Sequence, residues 1–165
     1  MKQPLIVYYS LSGNTKFIAE KLQNATNGDL LGIKPVKELD SEKKSTYFWG
    51  GFQATMKKKP TLEPFEIDPL AYDFIILGSP VWNSRITPPI RSFITNYDLG
   101  GKTLALWMCQ AGKSKKGIKR FKEELSDSMI IGEMVFTNPK EKSPKKSAER
   151  AAVWGKELVE KVHSE

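Results

Sequence analysis

Residues 5–15 read Leu5-Ile6-Val7-Tyr8-Tyr9-Ser10-Leu11-Ser12-Gly13-Asn14-Thr15, and this stretch decides the fold. Five branched or aromatic residues follow one another without a polar interruption, as in a strand buried on both faces of a parallel sheet. The run ends in a hydroxyl-rich turn that contains a glycine. Beyond the turn, Ile18, Leu22 and Ala25 recur at helical spacing. Strand, tight turn and helix in that order open a βαβ unit.

Three further runs have the same character: Phe74–Leu77, Thr103–Cys109 and Met129–Phe136. Asp29–Val36 is a weaker fifth. Between them, Ile118, Phe121 and Leu125 mark one helix, and Ala151, Trp154, Leu158 and Val162 mark the last. Thr87-Pro88-Pro89 reads as a helix start, a hydroxyl cap followed by prolines, with the helix running through Ile90, Phe93 and Ile94. Strand and helix alternate five times. The expectation is one α/β domain over residues 1–165, a doubly wound five-stranded parallel sheet with helices on both faces. Residues 37–69 fit this pattern least. They hold the cluster Tyr47-Phe48-Trp49-Gly50-Gly51, then Lys57-Lys58-Lys59-Pro60. A short helix near Thr46–Met56 and a long irregular run are expected there.

Composition excludes several classes of function. The chain has 165 residues, 39% hydrophobic and 27% charged, which suits a soluble globular domain. With one cysteine, Cys109, and one histidine, His163, no internal disulfide and no Cys/His zinc site can form, so no metal is expected. No apolar run approaches the length of a membrane span, and the first nine residues lack a signal-peptide layout. A cytoplasmic protein with no membrane partner is expected. The net charge of +7 hints at an anionic partner, but no nucleic-acid motif accompanies it, and none is expected to bind.

Ligands of doubly wound sheets lie at the carboxyl ends of the strands, so three strand ends are read together. Ser10-Leu11-Ser12-Gly13-Asn14-Thr15 offers hydroxyls, an amide and a glycine just before a helix, a setting for a phosphate. It has neither Walker nor dinucleotide spacing, and the same string also fits a plain βα turn with an Asn or Ser cap. Gly78-Ser79-Pro80-Val81-Trp82-Asn83-Ser84 presents a tryptophan that either stacks on a flat ring or covers the end of the sheet. Cys109-Gln110-Ala111-Gly112-Lys113-Ser114 permits close backbone approach or is an ordinary loop. Together the three suit a mononucleotide with a flat ring.

The order and spacing of these loops resemble the flavodoxin family, from Leu5 to Val162. Ser10–Thr15 resembles that family's phosphate loop. Gly78–Trp82 with Pro88-Pro89 resembles its second, ring-contacting loop, and Cys109–Gly112 its third. The resemblance implies strand order 2-1-3-4-5, noncovalent FMN and one-electron transfer. Ser10, Leu11, Ser12, Gly13, Asn14 and Thr15 would surround the phosphate, with the side chains of Ser10, Ser12, Asn14 and Thr15 holding it. Trp82 would stack on the isoalloxazine, flanked by Ser79, Pro80, Val81 and Asn83. Cys109, Gln110, Ala111 and Gly112 would face the ring from the other side. No long insertion splits Met129–Phe136, so the chain resembles the short-chain type.

Familiar flavodoxins are acidic, whereas here Lys113, Lys115, Lys116, Lys119, Arg120 and Lys122 follow the third loop. The implied partner is therefore an acidic redox protein of ferredoxin-like character, or NAD(P)H. The third loop also lacks a second aromatic. The other ring face is covered by an aliphatic group, by Tyr47–Trp49, or left open. Three readings follow. The first is an FMN-binding electron carrier, with no catalytic residue of its own. The second is an FMN-dependent NAD(P)H or quinone oxidoreductase. The third is a flavin-free interaction module on the same fold.

Overall fold

The computed structural model describes residues 3–40 and 42–164. Five parallel strands form one sheet in the order β2-β1-β3-β4-β5. They are β1 (Leu5–Tyr8), β2 (Asp29–Gly32), β3 (Phe74–Pro80), β4 (Thr103–Gln110) and β5 (Met129–Thr137). The helices are α1 (Asn14–Thr26), α2 (Lys44–Thr55), α3 (Pro88–Asn96), α4 (Lys116–Glu123) and α5 (Pro144–His163). No helix among the described residues is long and apolar enough to cross a membrane.

The pleat sends successive side chains to opposite faces, and both faces are covered. Val7, Ile75, Leu77, Leu104 and Leu106 meet Ile90, Phe93 and Phe121 on the side of α3 and α4. Ile6, Phe74, Ile76, Ala105 and Trp107 meet Ile18, Leu22, Trp154 and Leu158 on the side of α1 and α5. This is why β1, β3 and β4 read as unbroken apolar runs. Each fully buried aliphatic side chain among them contributes about 1.5–3 kcal/mol. The weak fifth run forms a four-residue edge strand. Pro35 then makes an isolated antiparallel bridge with Leu62.

One buried ion pair ties the α3–α4 side together. Arg91, 3% exposed, donates from Nε to Glu124 Oε2 at 3.1 Å and from its second nitrogen to Oε1 at 2.6 Å. Its third nitrogen reaches the Ala54 carbonyl at 3.4 Å, so one guanidinium joins α2, α3 and α4.

The start of α3 departs from expectation. Thr87 occupies the cap position, but its side chain makes no capping bond. Prolines at 88 and 89 remove two of the N–H groups that a helix start offers. The Thr87 hydroxyl turns to the Ser79 hydroxyl at 3.2 Å, and Ser79 Oγ accepts the Thr87 N–H at 3.0 Å. The bonding that was expected inside the helix instead couples the end of β3 to the start of α3.

Candidate functional site

A cavity of about 400 Å³ opens at the carboxyl ends of the strands. Leu11, Ser12, Asn14 and Thr15 line it from the β1 loop. Pro80, Val81 and Trp82 line it from the β3 loop, and Cys109, Gln110 and Ala111 from the β4 loop. The three loops singled out in the sequence therefore converge. Tyr47 of α2 and Asn138, Glu141 and Lys142 of the segment before α5 complete the wall.

The β1 loop is shaped for an anion. Gly13 caps α1 in the left-handed region (φ 95°), where a side chain is strained. A Cβ there would also lie 3.4 Å from the Lys140 ammonium. The Gly13 N–H donates to Ser10 Oγ at 3.2 Å, so Ser10 braces the turn from outside the cavity. No side chain caps α1, which leaves the N–H groups of its first turn available to a ligand. Thr15 is 1% exposed, and its hydroxyl has no hydrogen-bond partner among the described residues. A buried hydroxyl without a partner is costly, and Thr15 lines the cavity at a helix start, two residues after the Gly13 over which the Lys140 ammonium lies. These donors fit a phosphate.

Asn14 lines the cavity, and its amide is also engaged with the segment before α5. Its Oδ1 accepts the Lys140 N–H at 3.0 Å, and its Nδ2 donates to Glu141 Oε1 at 3.3 Å. The amide binds residues 138–142 to the β1 loop. The same segment reaches the β4 loop through Asn138, whose N–H donates to the Gln110 carbonyl at 2.9 Å and whose Nδ2 donates to the Ala111 carbonyl at 3.3 Å. A strap thus closes the cavity between first and third loops and carries Lys140 and Lys142 with it. The sequence reading missed the strap. Its signal was the Thr137-Asn138-Pro139 turn at a strand end, with Asn138 in the left-handed conformation that asparagine tolerates (φ 43°).

The β3 loop is a tight reversal. Trp82 and Arg85 exchange backbone hydrogen bonds at 3.0 and 3.1 Å around Asn83 and Ser84, both at positive φ, the signature of a type I′ turn. Trp82 is 7% exposed. It meets the Tyr9 ring edge-on at 5.8 Å, and Gly50 of α2 lies against it so closely that a Cβ there would stand 2.9 Å from the indole. Only a margin of the indole therefore reaches the cavity. The exposed aromatic in the cavity wall is Tyr47. Beneath Trp82, the Tyr9 hydroxyl donates to Glu38 Oε1 at 2.7 Å. Burial, and then the carboxylate, raise its pKa well above the ordinary phenol value. Ser79 is buried behind the wall in its bond to Thr87. Asn83 turns away and donates to Thr55 Oγ1 at 2.6 Å.

In the β4 loop, burial pushes the Cys109 thiol up to about 12. The nearby Thr15 hydroxyl offsets part of that rise without completing a hydrogen bond. At neutral pH the group is a thiol, and thiolate chemistry is closed to it. Gln110 Oε1 accepts the Ser114 N–H at 3.2 Å, and Gly112 is exposed at the rim. In the basic run that follows, Lys113, Lys115, Lys116 and Lys119 are exposed. Lys122 pairs with Glu133 of β5 at 2.7 Å, and Arg120 donates to the Ser84 carbonyl at 3.2 Å. Among the described residues no group of acids, histidines and cysteines could hold a metal ion.

Known proteins agree with this geometry. Among solved structures, a protein classed as a flavoprotein from Bacteroides eggerthii superposes with a TM-score of 0.75 at 23% identity, covering 92% of this chain and 94% of that one. An archaeal flavodoxin superposes at 0.62 with 18% identity, covering 98% and 99%. These two show the fold. A Lactobacillus acidophilus flavoprotein, solved in complex with FMN, is 29% identical with a TM-score of 0.69, covering 88% of this chain and all of that one. No curated protein sequence matches. The flavodoxin family model matches residues 3–157, and by that match over nearly its whole length the chain belongs to the flavodoxin family.

Proposed function

We propose that this chain binds FMN noncovalently and works as a one-electron carrier between redox proteins. The observation that carries the reading is the buried Thr15 hydroxyl, without a hydrogen-bond partner among the described residues, at the uncapped start of α1, where the Lys140 ammonium lies over Gly13. Family membership and the FMN complex of the Lactobacillus relative support the choice of flavin. FMN, when bound, supplies one- and two-electron redox chemistry. The chain's part is to hold and shield it. Thr15, the first turn of α1 and Lys140 take the phosphate. Tyr47, Trp82 and the backbone of residues 109–111 wall the ring site and exclude water. Cys109 stays protonated, and His163 lies exposed at the far end of α5, away from the cavity. An acidic redox protein suits the basic surface.

A groove between α4 and β5 favours a second reading. It measures about 760 Å³ and is lined by Lys113, Lys115 and Lys119 over Ile118 and Val135, and it shares Gln110 with the first cavity. It could seat the phosphates of NAD(P)H, which would make the protein a reductase. The test is anaerobic mixing of FMN-loaded protein with NADH, with NADPH and with a reduced acidic ferredoxin. Fast bleaching by the ferredoxin and slow bleaching by both nucleotides is expected. Rapid, saturable bleaching by either nucleotide alone overturns the carrier reading in favour of the reductase.

A further inference from the structure

Helix α2 is amphipathic the wrong way round. Its inward positions are Thr46, Gly50 and Ala54, all buried and all small. Its outward positions are bulky: Tyr47 is 57% exposed, Phe48 77%, Trp49 53% and Phe52 46%, and Met56 follows at 54%. The inward pattern has a local cause, because α2 must come within contact of the Trp82 ring and only Gly50 permits that approach. The outward pattern has no such cause. A lone exposed apolar residue needs no explanation, whereas a contiguous set marks a surface that another molecule covers. Five of the nine large hydrophobic residues that are exposed among those described fall within these ten positions.

We propose that this face of α2 is the docking surface for an acidic redox protein that exchanges electrons with the cofactor; the inference rests on the carrier reading above. Three observations select that occupant. The face adjoins the cavity, because Tyr47 belongs both to the cavity wall and to a cleft it shares with Phe48, Phe52 and Asn83. A partner seated there stands at the mouth of the cofactor site. The cleft is concave, about 480 Å³, which suits a protruding side chain of a protein better than a flat lipid surface. The charge is one-sided past the helix: no acid lies in the sequence between Lys43, itself paired with Asp40, and Leu62, while three lysines in a row follow α2. Lys57, Lys58 and Lys59 at the end of the helix are exposed and make no ion pair among the described residues. An apolar centre with a basic rim matches an acidic rim around an apolar knob. A second copy of the chain would bring the same lysines against these, on a molecule already carrying +7. Aromatic anchors provide the short-range contact, and the lysines steer the encounter.

The step itself is one electron leaving the reduced iron–sulfur centre of the donor and arriving at the bound FMN, with no bond made or broken in transit. The test uses FMN-loaded protein and a reduced, acidic plant-type ferredoxin, with bimolecular rates read by stopped flow across ionic strength. Phe48→Ser with Trp49→Ser is expected to slow reduction about tenfold at every salt concentration. Lys57→Glu, Lys58→Glu and Lys59→Glu together should slow it about tenfold at low salt, the difference fading as salt rises. The charge-matched control Lys145→Glu with Lys146→Glu and Lys156→Glu, all on α5, should match wild type. All substituted positions are exposed, and flavin loading of each variant reports its folding. Wild-type rates in the aromatic variant overturn the inference while leaving the carrier reading intact. Absence of salt-dependent reduction of the wild type overturns the acidic partner. Loss of binding to anionic vesicles in the aromatic variant, with ferredoxin rates unchanged, overturns it in favour of a membrane. A wild-type dimer that becomes monomeric in the variant with unchanged rates overturns it in favour of self-association. Failure of the wild type to take up FMN overturns the carrier reading, and this inference with it.

Discussion

Thr15→Val removes one hydroxyl and keeps the shape of the side chain, so it isolates what that hydroxyl does. Oγ1 is buried and has no partner among the described residues. An unsatisfied buried polar group costs about 1–3 kcal/mol, so the valine variant should be more stable without flavin by about 1 kcal/mol, a rise in Tm of about 2–4 °C for a chain of this size. With a phosphate in place the sign reverses. A hydrogen bond to a charged group contributes about 1.5–3 kcal/mol, so the variant should bind FMN about 10- to 100-fold more weakly. Riboflavin has no phosphate, and its affinity should not change. Thermal unfolding of the flavin-free protein and fluorescence titration with both flavins measure the three quantities. A variant that loses FMN and riboflavin affinity equally would mean that Thr15 shapes the pocket and does not hold the phosphate. A variant that binds FMN like wild type would refute the assignment of the phosphate site.

Lys140→Ala should weaken FMN about two- to fivefold at low ionic strength, with the loss vanishing in high salt and absent for riboflavin, because an exposed ammonium acts through screened charge; the same titrations check it. Arg91→Ala should destabilise the protein by about 3 kcal/mol in urea unfolding, since it strands Glu124 and frees the Ala54 carbonyl, and Arg91→Lys should restore little because it cannot form the two-pronged contact. For Cys109, the folded state raises the thiol from 9.0 to about 12, so the unfolded chain ionises first. The stability due to the buried neutral thiol is whole below pH 9 and is lost as pH rises toward 12. Cys109→Ala should flatten part of that alkaline decline, and iodoacetamide at pH 8 should label the wild type only after it unfolds.

The sequence spoke most clearly where burial leaves no choice. β1, β3 and β4 are covered on both faces, so their strands are apolar throughout and their ends could be read to within a few residues. The loops at those ends could be read too, because hydroxyls and glycine between a strand and a helix are a local signal, and Thr15 lines the cavity at the start of α1. What escaped was long-range. Nothing local says that the Asn14 amide is held by a segment about 125 residues later, or that Lys140 lies over Gly13. Trp82 looked like an open face for a ring; its burial depends on Gly50 bringing α2 onto it, a contact between segments about 30 residues apart. The basic run looked free of acids along the chain, yet Lys122 finds Glu133 across the α4–β5 groove. In α2, helical spacing alone would assign the bulky residues to the core. The sheet leaves room there only for small ones, and the aromatics face outward.

Titration of the flavin-free protein with FMN, riboflavin and FAD tests most directly whether a phosphate is held at the start of α1. Donors at Thr15, in the first turn of α1 and at Lys140 predict that FMN binds at least about tenfold more tightly than riboflavin, with the preference shrinking as salt rises. Equal affinities for FMN and riboflavin, or no binding of either, would contradict it.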